Sequence, residues 1–304
     1  MVSAAALGFD QRGRPTRPRW LADFARSILA RHTGVGADGL LVMWPPEDKT
    51  HHAALEIFNA DGSEAEMSGN GIRCAAAWLL DEARYRLASE PDSRRLGAAL
   101  DLLEGLAIET AAGVKVVEAR YAPAREGTVF RVSMGAPVLE PEKIPFNAGA
   151  PAPVVRYPLP TSLGPMPVTV VSMGNPHCSL FVSSFHDLDW RALGRELESH
   201  PLFPNRTNVE FVHVISPREI EVCFWERGVG ETASSGTGSS TALVASVLNG
   251  LADRKARVIT SGGKLEVEWK KSGELFLTGP VRRVASGGFE EQGLGVGVQK
   301  AQGL

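Results

Sequence analysis

Cysteine is scarce: Cys74, Cys178 and Cys223 are the whole supply in 304 residues. Their spacing suits neither the disulfide framework of a small secreted domain nor a metal-ligating cluster. A reducing compartment, the cytoplasm, is the expected setting. Runs of positive charge are also missing. With 32 Lys and Arg against 35 Asp and Glu, the formal charge is -3, and basic residues come at most in short pairs. Nucleic acid is therefore not an expected partner. No apolar run approaches the ~20 residues that a membrane-crossing helix needs, and no basic leader with an apolar segment opens the chain. Neither a membrane partner nor a targeting segment is expected, and small-molecule chemistry is the better starting point.

The length allows one large or two medium domains and favours two. The first seventeen or so residues carry no sustained period and read as a tail or short edge element. WLADFARSILARH repeats apolar residues at three and four, giving a surface helix stopped by the glycines of TGVGADG. LLVMW and AALEIFNA read as strands, and an apolar helix runs from Ile72 to about Ala83. LAIETAAGVKVVEARY and TVFRVSMG alternate and close a first unit. The proline-rich stretch APVLEPEKIPFNAGAPAPVVRYPLP reads as a connection or edge-strand region. Beyond it the order repeats: a strand TVVSMGNPHCSLFV, a helix around LDWRALGRELESH, strands NVEFVHVIS and EIEVCFWERG, a glycine loop, an apolar helix to about Asn249, and strands ARVIT, KLEVEWK and ELFLTGP. Each unit centres on one helix rich in Ala, Leu and Val. Such a helix cannot face water, so a curved sheet wrapped around it is the expected α/β architecture, two barrel-like mixed sheets each with a central helix.

One design occurs twice. Ser68-Gly69-Asn70-Gly71 and Ser235-Gly236-Thr237-Gly238 each stand directly before an apolar helix. Glycines allow close approach to the backbone, and the unpaired amides with the helix dipole attract a carboxylate or phosphate. An ordinary Ser cap with a tight entry turn is the plain alternative. The flanks NADGSEAE and WERGVGET favour a site, because they add Asn59, Asp61, Glu66, Glu226, Arg227 and Glu231 beside the same turns. A nucleotide loop is excluded, since the phosphate-reaching lysine and the dinucleotide glycine spacing are both missing. His177, in GNPHC, is either a satisfied structural imidazole or part of a polar pocket edge with Asn175 and Asn208. Cys178 and Cys223 fall at strand positions and read as core thiols.

The motifs HTGVGADG, NADGSEAEMSGNGIRCAA, MGNPHCSLFV, NRTNVEF, ERGVGETASSGTGS and the late TGP together resemble the diaminopimelate epimerase family, from about Trp20 to Gly288. The resemblance implies two pseudo-symmetric domains with an amino-acid substrate in the cleft between them, residues 1–131 completed by about 281–304, and residues 132–280. It implies a homodimer, no cofactor and no metal. It places Ser68 and Ser235 at the two catalytic positions with His177 and Glu226 beside them. Asn59, Asn175, Asn208, Glu226 and Arg227 would grip the distal end of the amino acid. The amides of Gly69, Asn70, Gly236 and Thr237 would hold the carboxylate near the reacting carbon.

The family uses two cysteines at those catalytic positions, one thiolate removing the α proton and one thiol returning a proton to the other face. This chain has serine at both. A gap of roughly five pKa units between the two kinds of base corresponds to about 7 kcal/mol, so epimerisation of LL- to meso-diaminopimelate is expected to be impaired. The family's usual opening strand and Gly-Asn-Asp turn is also replaced here by LGFDQRG. Three readings stay open from the residues: an epimerase slowed by its serines, a related amino- or hydroxy-acid isomerase or dehydratase, and a non-catalytic amino-acid-binding homologue.

Overall fold

The computed structural model describes residues 1–3, 7, 20–89, 105–121 and 128–289. By contacts the chain divides into two compact units, one formed by residues up to Val132 with those from Pro280, the other by Ser133–Gly279. Both are mixed α/β units.

The first unit contains β1 (Val2–Ser3), α1 (Trp20–Leu29), β2 (Gly39–Trp44), β3 (Ala53–Asn59), β4 (Glu64–Ala65), α2 (Gly69–Ser89), β5 (Leu106–Thr110), β6 (Gly113–Tyr121) and β7 (Thr128–Gly135). The strand order is β1-β2-β3-β5-β6-β7, with β4 on β3. Side chains of β2 alternate between faces, as a pleated strand requires. Leu40, Val42 and Trp44 join Leu21, Phe24, Ala25 and Leu29 of α1 in one buried cluster. Leu41 points the other way, towards the start of α2, where a Cβ on Gly71 would lie 2.9 Å from its Cδ2.

The second unit contains β8 (Tyr157–Leu159), β9 (Met166–Ser172), β10 (Pro176–Phe181), α3 (Trp190–Glu198), β11 (Asn208–Ser216), β12 (Glu219–Glu226), β13 (Gly230–Thr232), α4 (Gly236–Leu248), β14 (Lys255–Thr260), β15 (Gly263–Trp269) and β16 (Leu275–Pro280). Its order is β16-β15-β14-β12-β11-β10-β9-β8, with β13 on β12. Under α3 the outer face of this sheet is apolar: Cys178, Val209 and Phe211 pack against Trp190, Leu193 and Leu197 of α3. The inner face wraps α4, which touches β9, β10, β11, β12, β14 and β15. Every residue of α4 from Gly236 to Ser246 is buried. Its hydroxyls make that possible by bonding the helix's own backbone: Ser239 donates to the Ser235 carbonyl at 2.6 Å, Ser240 to Gly236 at 2.8 Å, and Ser246 to Ala242 at 2.7 Å. A hydroxyl satisfied within its own helix can be buried without an unpaired donor.

Two expectations about elements change. TVVSMGNPHCSLFV is not one strand but two, β9 and β10, paired antiparallel with Pro176 opposite Ser172. Gly174, at φ 100, makes the turn that a non-glycine residue would adopt only with strain. The helix read as Ile72 to about Ala83 starts three residues earlier and runs on to Ser89. The Ser-Gly-X-Gly glycines are its first turn, not a loop before it, and no glycine or proline interrupts residues 82–89. In the proline-rich segment, Pro141–Lys143 forms a short 3-10 turn and β8 an edge strand on β9. Of the opening residues, β1 pairs parallel with β2, Val2 opposite Val42. The LGFDQRG stretch beyond Leu7 lies outside the described residues.

Gly238→Ala tests the packing of α4. The added Cβ would stand 2.9 Å from the buried Phe224 ring and 3.0 Å from the Ser235 Cβ, and overpacking of this kind costs about 1–3 kcal/mol. Urea denaturation should show that loss, and a midpoint equal to that of the parent chain would contradict the packing described.

Candidate active site

Both Ser-Gly-X-Gly segments make the same local structure. The Ser68 hydroxyl accepts the Gly71 amide at 3.0 Å, and the Ser235 hydroxyl accepts the Gly238 amide at 3.1 Å. Each serine is thus the cap of its helix and takes the third amide of the turn. The first two, those of Gly69 and Asn70 and of Gly236 and Thr237, precede any carbonyl that an i−4 bond could reach. The last glycine has a steric reason in both copies: a Cβ at Gly71 would lie 3.1 Å from the Ser68 Cβ, and one at Gly238 3.0 Å from the Ser235 Cβ. Each serine therefore keeps its capping rotamer because its neighbour three residues on has no side chain.

In the first unit Asn59 ends β3 and donates to the Ser63 hydroxyl at 3.0 Å, while Asp61 accepts the Ser63 amide at 2.8 Å. Arg26 of α1 donates to the Asp61 carbonyl at 2.9 Å and fixes the turn from outside. At the helix start Arg73 is 5% exposed. Its guanidinium donates to the Gly69 carbonyl at 2.9 Å and to the Asn70 side-chain oxygen at 2.8 Å. Burial lowers its pKa to about 10, so it remains a cation at neutral pH at the start of the helix.

In the second unit the pleat collects the polar groups. His177 and Ser179 on β10, Asn208 and Glu210 on β11, and Glu226 on β12 share the face turned towards α4, by the registers His177–Asn208, Ser179–Glu210 and Glu210–Phe224. His177 is 1% exposed; its Nδ1 meets Glu210 Oε1 at 2.5 Å and its Nε2 meets Asn175 Oδ1 at 3.0 Å. Asn208 is 6% exposed. It donates to the Pro176 carbonyl at 2.9 Å and accepts the Arg227 amide at 2.9 Å, so it ties the start of β10 to the end of β12. The exposed Arg227 guanidinium donates to the Asn205 carbonyl at 3.1 Å. Burial raises the Glu226 carboxyl above its ordinary value, against the pull of a hydrogen bond from the Ser235 hydroxyl and of His177.

The second unit thus brings together Asn175, His177, Asn208, Glu226, Arg227, Ser235, Gly236 and Thr237. The first holds Asn59, Ser68, Gly69 and Asn70. Sequence reasoning passed over Glu210, Glu198 and Arg73. Glu198, 6% exposed, accepts the Gly228 amide at 2.7 Å and the Trp225 indole at 2.9 Å and pairs with Arg206, which pins the turn that carries Arg227. The signal for Glu210 was present in NVEF, where Asn and Glu alternate onto one face at positions a buried strand would give to apolar residues. Nothing comparable marked Arg73 or Glu198, whose partners are set by how the chain folds rather than by any local pattern.

The remaining thiols do not supply the missing bases. Burial pushes Cys178 well above the ordinary thiol value, raises Cys223 to about 11 and also raises Cys74. Among the described residues no group of three or more His, Cys, Asp or Glu side chains is placed to hold a metal ion. A separate cavity of about 340 Å³ in the first unit is lined by Glu47, Asp48, His51, Glu56, Glu64 and Glu109 among others, and by none of the expected site residues.

Solved structures define the class by fold. A predicted epimerase from Pseudomonas aeruginosa matches with a TM-score of 0.59 at 18% identity, over 89% of this chain and 88% of that one. A hydroxyproline epimerase from Agrobacterium vitis matches with a TM-score of 0.59 at 16% identity, over 87% and 78%. Within that fold the chain belongs to the diaminopimelate epimerase family, whose model matches residues 11–91 and 169–284. It is 40% identical to the diaminopimelate epimerase of Pelotomaculum thermopropionicum over 272 residues, 90% of each chain. With that of Desulfitobacterium hafniense it shares 39% over 282 residues, 93% of each.

The Glu226 carboxyl yields a pH prediction. A folded pKa above its ordinary value of 4.5 means that the native state binds more protons than the unfolded state between those two values, so stability falls as pH rises through that window. Glu226→Gln removes the titration. The stability of the Gln variant relative to the parent should rise from pH 4.5 upward and then level off, measured by denaturant midpoints. A pH-independent difference would contradict the assignment.

Proposed function

We propose that this chain binds diaminopimelate and exchanges the proton on its α carbon without a cofactor, interconverting the LL and meso forms with Ser68 and Ser235 at the two base positions. The observation that carries this is the Ser235 arrangement. One hydroxyl caps a buried helix, stands beside two open amides, and is hydrogen-bonded to a carboxyl whose pKa is raised. Family membership and the identity to curated diaminopimelate epimerases support the substrate.

As Ser235 Oγ takes the α proton, its own proton passes to ionised Glu226. The electron pair left by the broken C–H bond moves into the substrate carboxylate, held by the amides of Gly236 and Thr237. Ser68 returns a proton to the other face and is reprotonated by solvent. Asn59, Asn70, Asn175, Asn208 and Arg227 hold the substrate so that one carbon meets both hydroxyls, since orientation lowers the barrier more than affinity does. A hydroxyl is a far weaker acid than a thiol, so the raised Glu226 is needed as proton acceptor and turnover is slow. A homodimer and a cytoplasmic location belong to the same reading. No helix among the described residues is long and apolar enough to cross a membrane.

Deuterium uptake at the α carbon of LL-diaminopimelate, followed by NMR in heavy water, tests the proposal. The parent chain should exchange slowly, and the double variant Ser68→Cys, Ser235→Cys at least ~100-fold faster, a modest part of the ~7 kcal/mol that separates the two bases. A folded double variant that exchanges no faster would overturn it.

A further inference from the structure

Glu210 is a buried acid that the proposed chemistry does not use. It is 1% exposed, as is His177, and the two side chains meet at 2.5 Å through Oε1 and Nδ1. Its second oxygen accepts the Ser179 hydroxyl at 3.1 Å. An unpaired carboxylate in such a position would be strongly destabilising, so the site is built to hold it.

The surroundings leave the ring few alternatives. Of the elements against His177, β9 and α4 carry no titratable side chain. On β11 the inward acid is Glu210 and on β12 it is Glu226, while Glu219, Glu221 and His213 fall on the opposite face by alternation. Cys178, next along β10, also faces outward, into the cluster beneath α3. A carboxylate only accepts hydrogen bonds, so the proton between His177 and Glu210 belongs on Nδ1. Nε2 is then the ring's acceptor, and the Asn175 side chain that stands 3.0 Å from it must turn its NH2 rather than its oxygen towards the ring. Ser179 matters because its hydroxyl fixes the carboxylate rotamer and leaves Oε1 for the ring. Ser179 and Glu210 are register partners across the parallel pair, which puts that hydroxyl in reach without any loop movement.

We propose that Glu210 is a positioning residue that, with Ser179, locks His177 in the form carrying a proton on Nδ1 and so dedicates Nε2 to the substrate side of the site. The substrate half of this statement rests on the proposed function; the tautomer half does not. The carboxylate acts through the ring and touches no reacting atom itself. A ring with a fixed Nδ1–H presents the same atom to every substrate molecule, whereas an unlocked ring divides between two forms, one of them with the wrong nitrogen forward.

Nitrogen-15 NMR of the imidazole rings in the full chain at neutral pH tests this, with His177→Asn identifying the His177 signals. In the parent chain Nδ1 should show a bonded proton. In Glu210→Gln, whose amide can donate as well as accept, part of the population should move that proton to Nε2, and Glu210→Asp should retain more of the Nδ1–H form than the Gln variant. Unchanged His177 nitrogen signals in a folded Glu210→Gln chain would overturn the proposal. Should that variant fail to fold, the parent chain alone decides, because an unprotonated Nδ1 in it is incompatible with the lock. The measurement needs no substrate, so its failure is distinct from absence of α-proton exchange in the cysteine-restored chain.

Discussion

The hydrogen bond from a backbone amide to a serine hydroxyl, made once at the head of each central helix, is the constraint on which the rest depends. It fixes the serine rotamer and requires glycine at the third position, where a Cβ would press on the serine itself. The helices then follow from burial. In α4 the Ser and Thr hydroxyls bond backward to their own carbonyls, so a sequence polar at nearly every other position in its first half is buried inside a sheet.

Around that frame the two units solve the charge problem differently. The first places a buried cation, Arg73, at the start of its helix, bonded to the Gly69 carbonyl and the Asn70 side chain. The second stacks two carboxyls, Glu210 and Glu226, on the helix-facing side of one sheet and sets His177 between Asn175 and Glu210. Burial raises Glu226, and its bond to Ser235 works against that rise. A serine at this position therefore has a proton acceptor built beside it, which a thiolate-forming cysteine would not need to the same degree.

Much of this was legible in the sequence. The repeated Ser-Gly-X-Gly before an Ala-rich run gave both central helices, and alternation gave β5, β6 and β7. The glycines misled on one point: they read as a loop because glycine is a poor helix former, yet in the first turn its cost is small and its missing Cβ is required. The turn inside TVVSMGNPHCSLFV was announced by Gly174-Asn175 but was overridden by the apolar residues on both sides. Of the site, the motif residues were readable by resemblance, whereas Arg73 and Glu198 meet partners brought to them by the fold, partly backbone groups, which no local sequence pattern displays. Cys178 was correctly read as a core thiol; Cys223 is only partly buried, yet its raised pKa makes it equally unsuited to replace a catalytic base.

The most direct measurement of the central claim is a crystal structure of this chain with LL-diaminopimelate, which slow turnover would preserve. The account predicts the α-carboxylate on the amides of Gly69, Asn70, Gly236 and Thr237, with the Ser68 and Ser235 oxygens meeting the α carbon from opposite sides. A ligand whose α carbon touches only one of those oxygens, or neither, would contradict it.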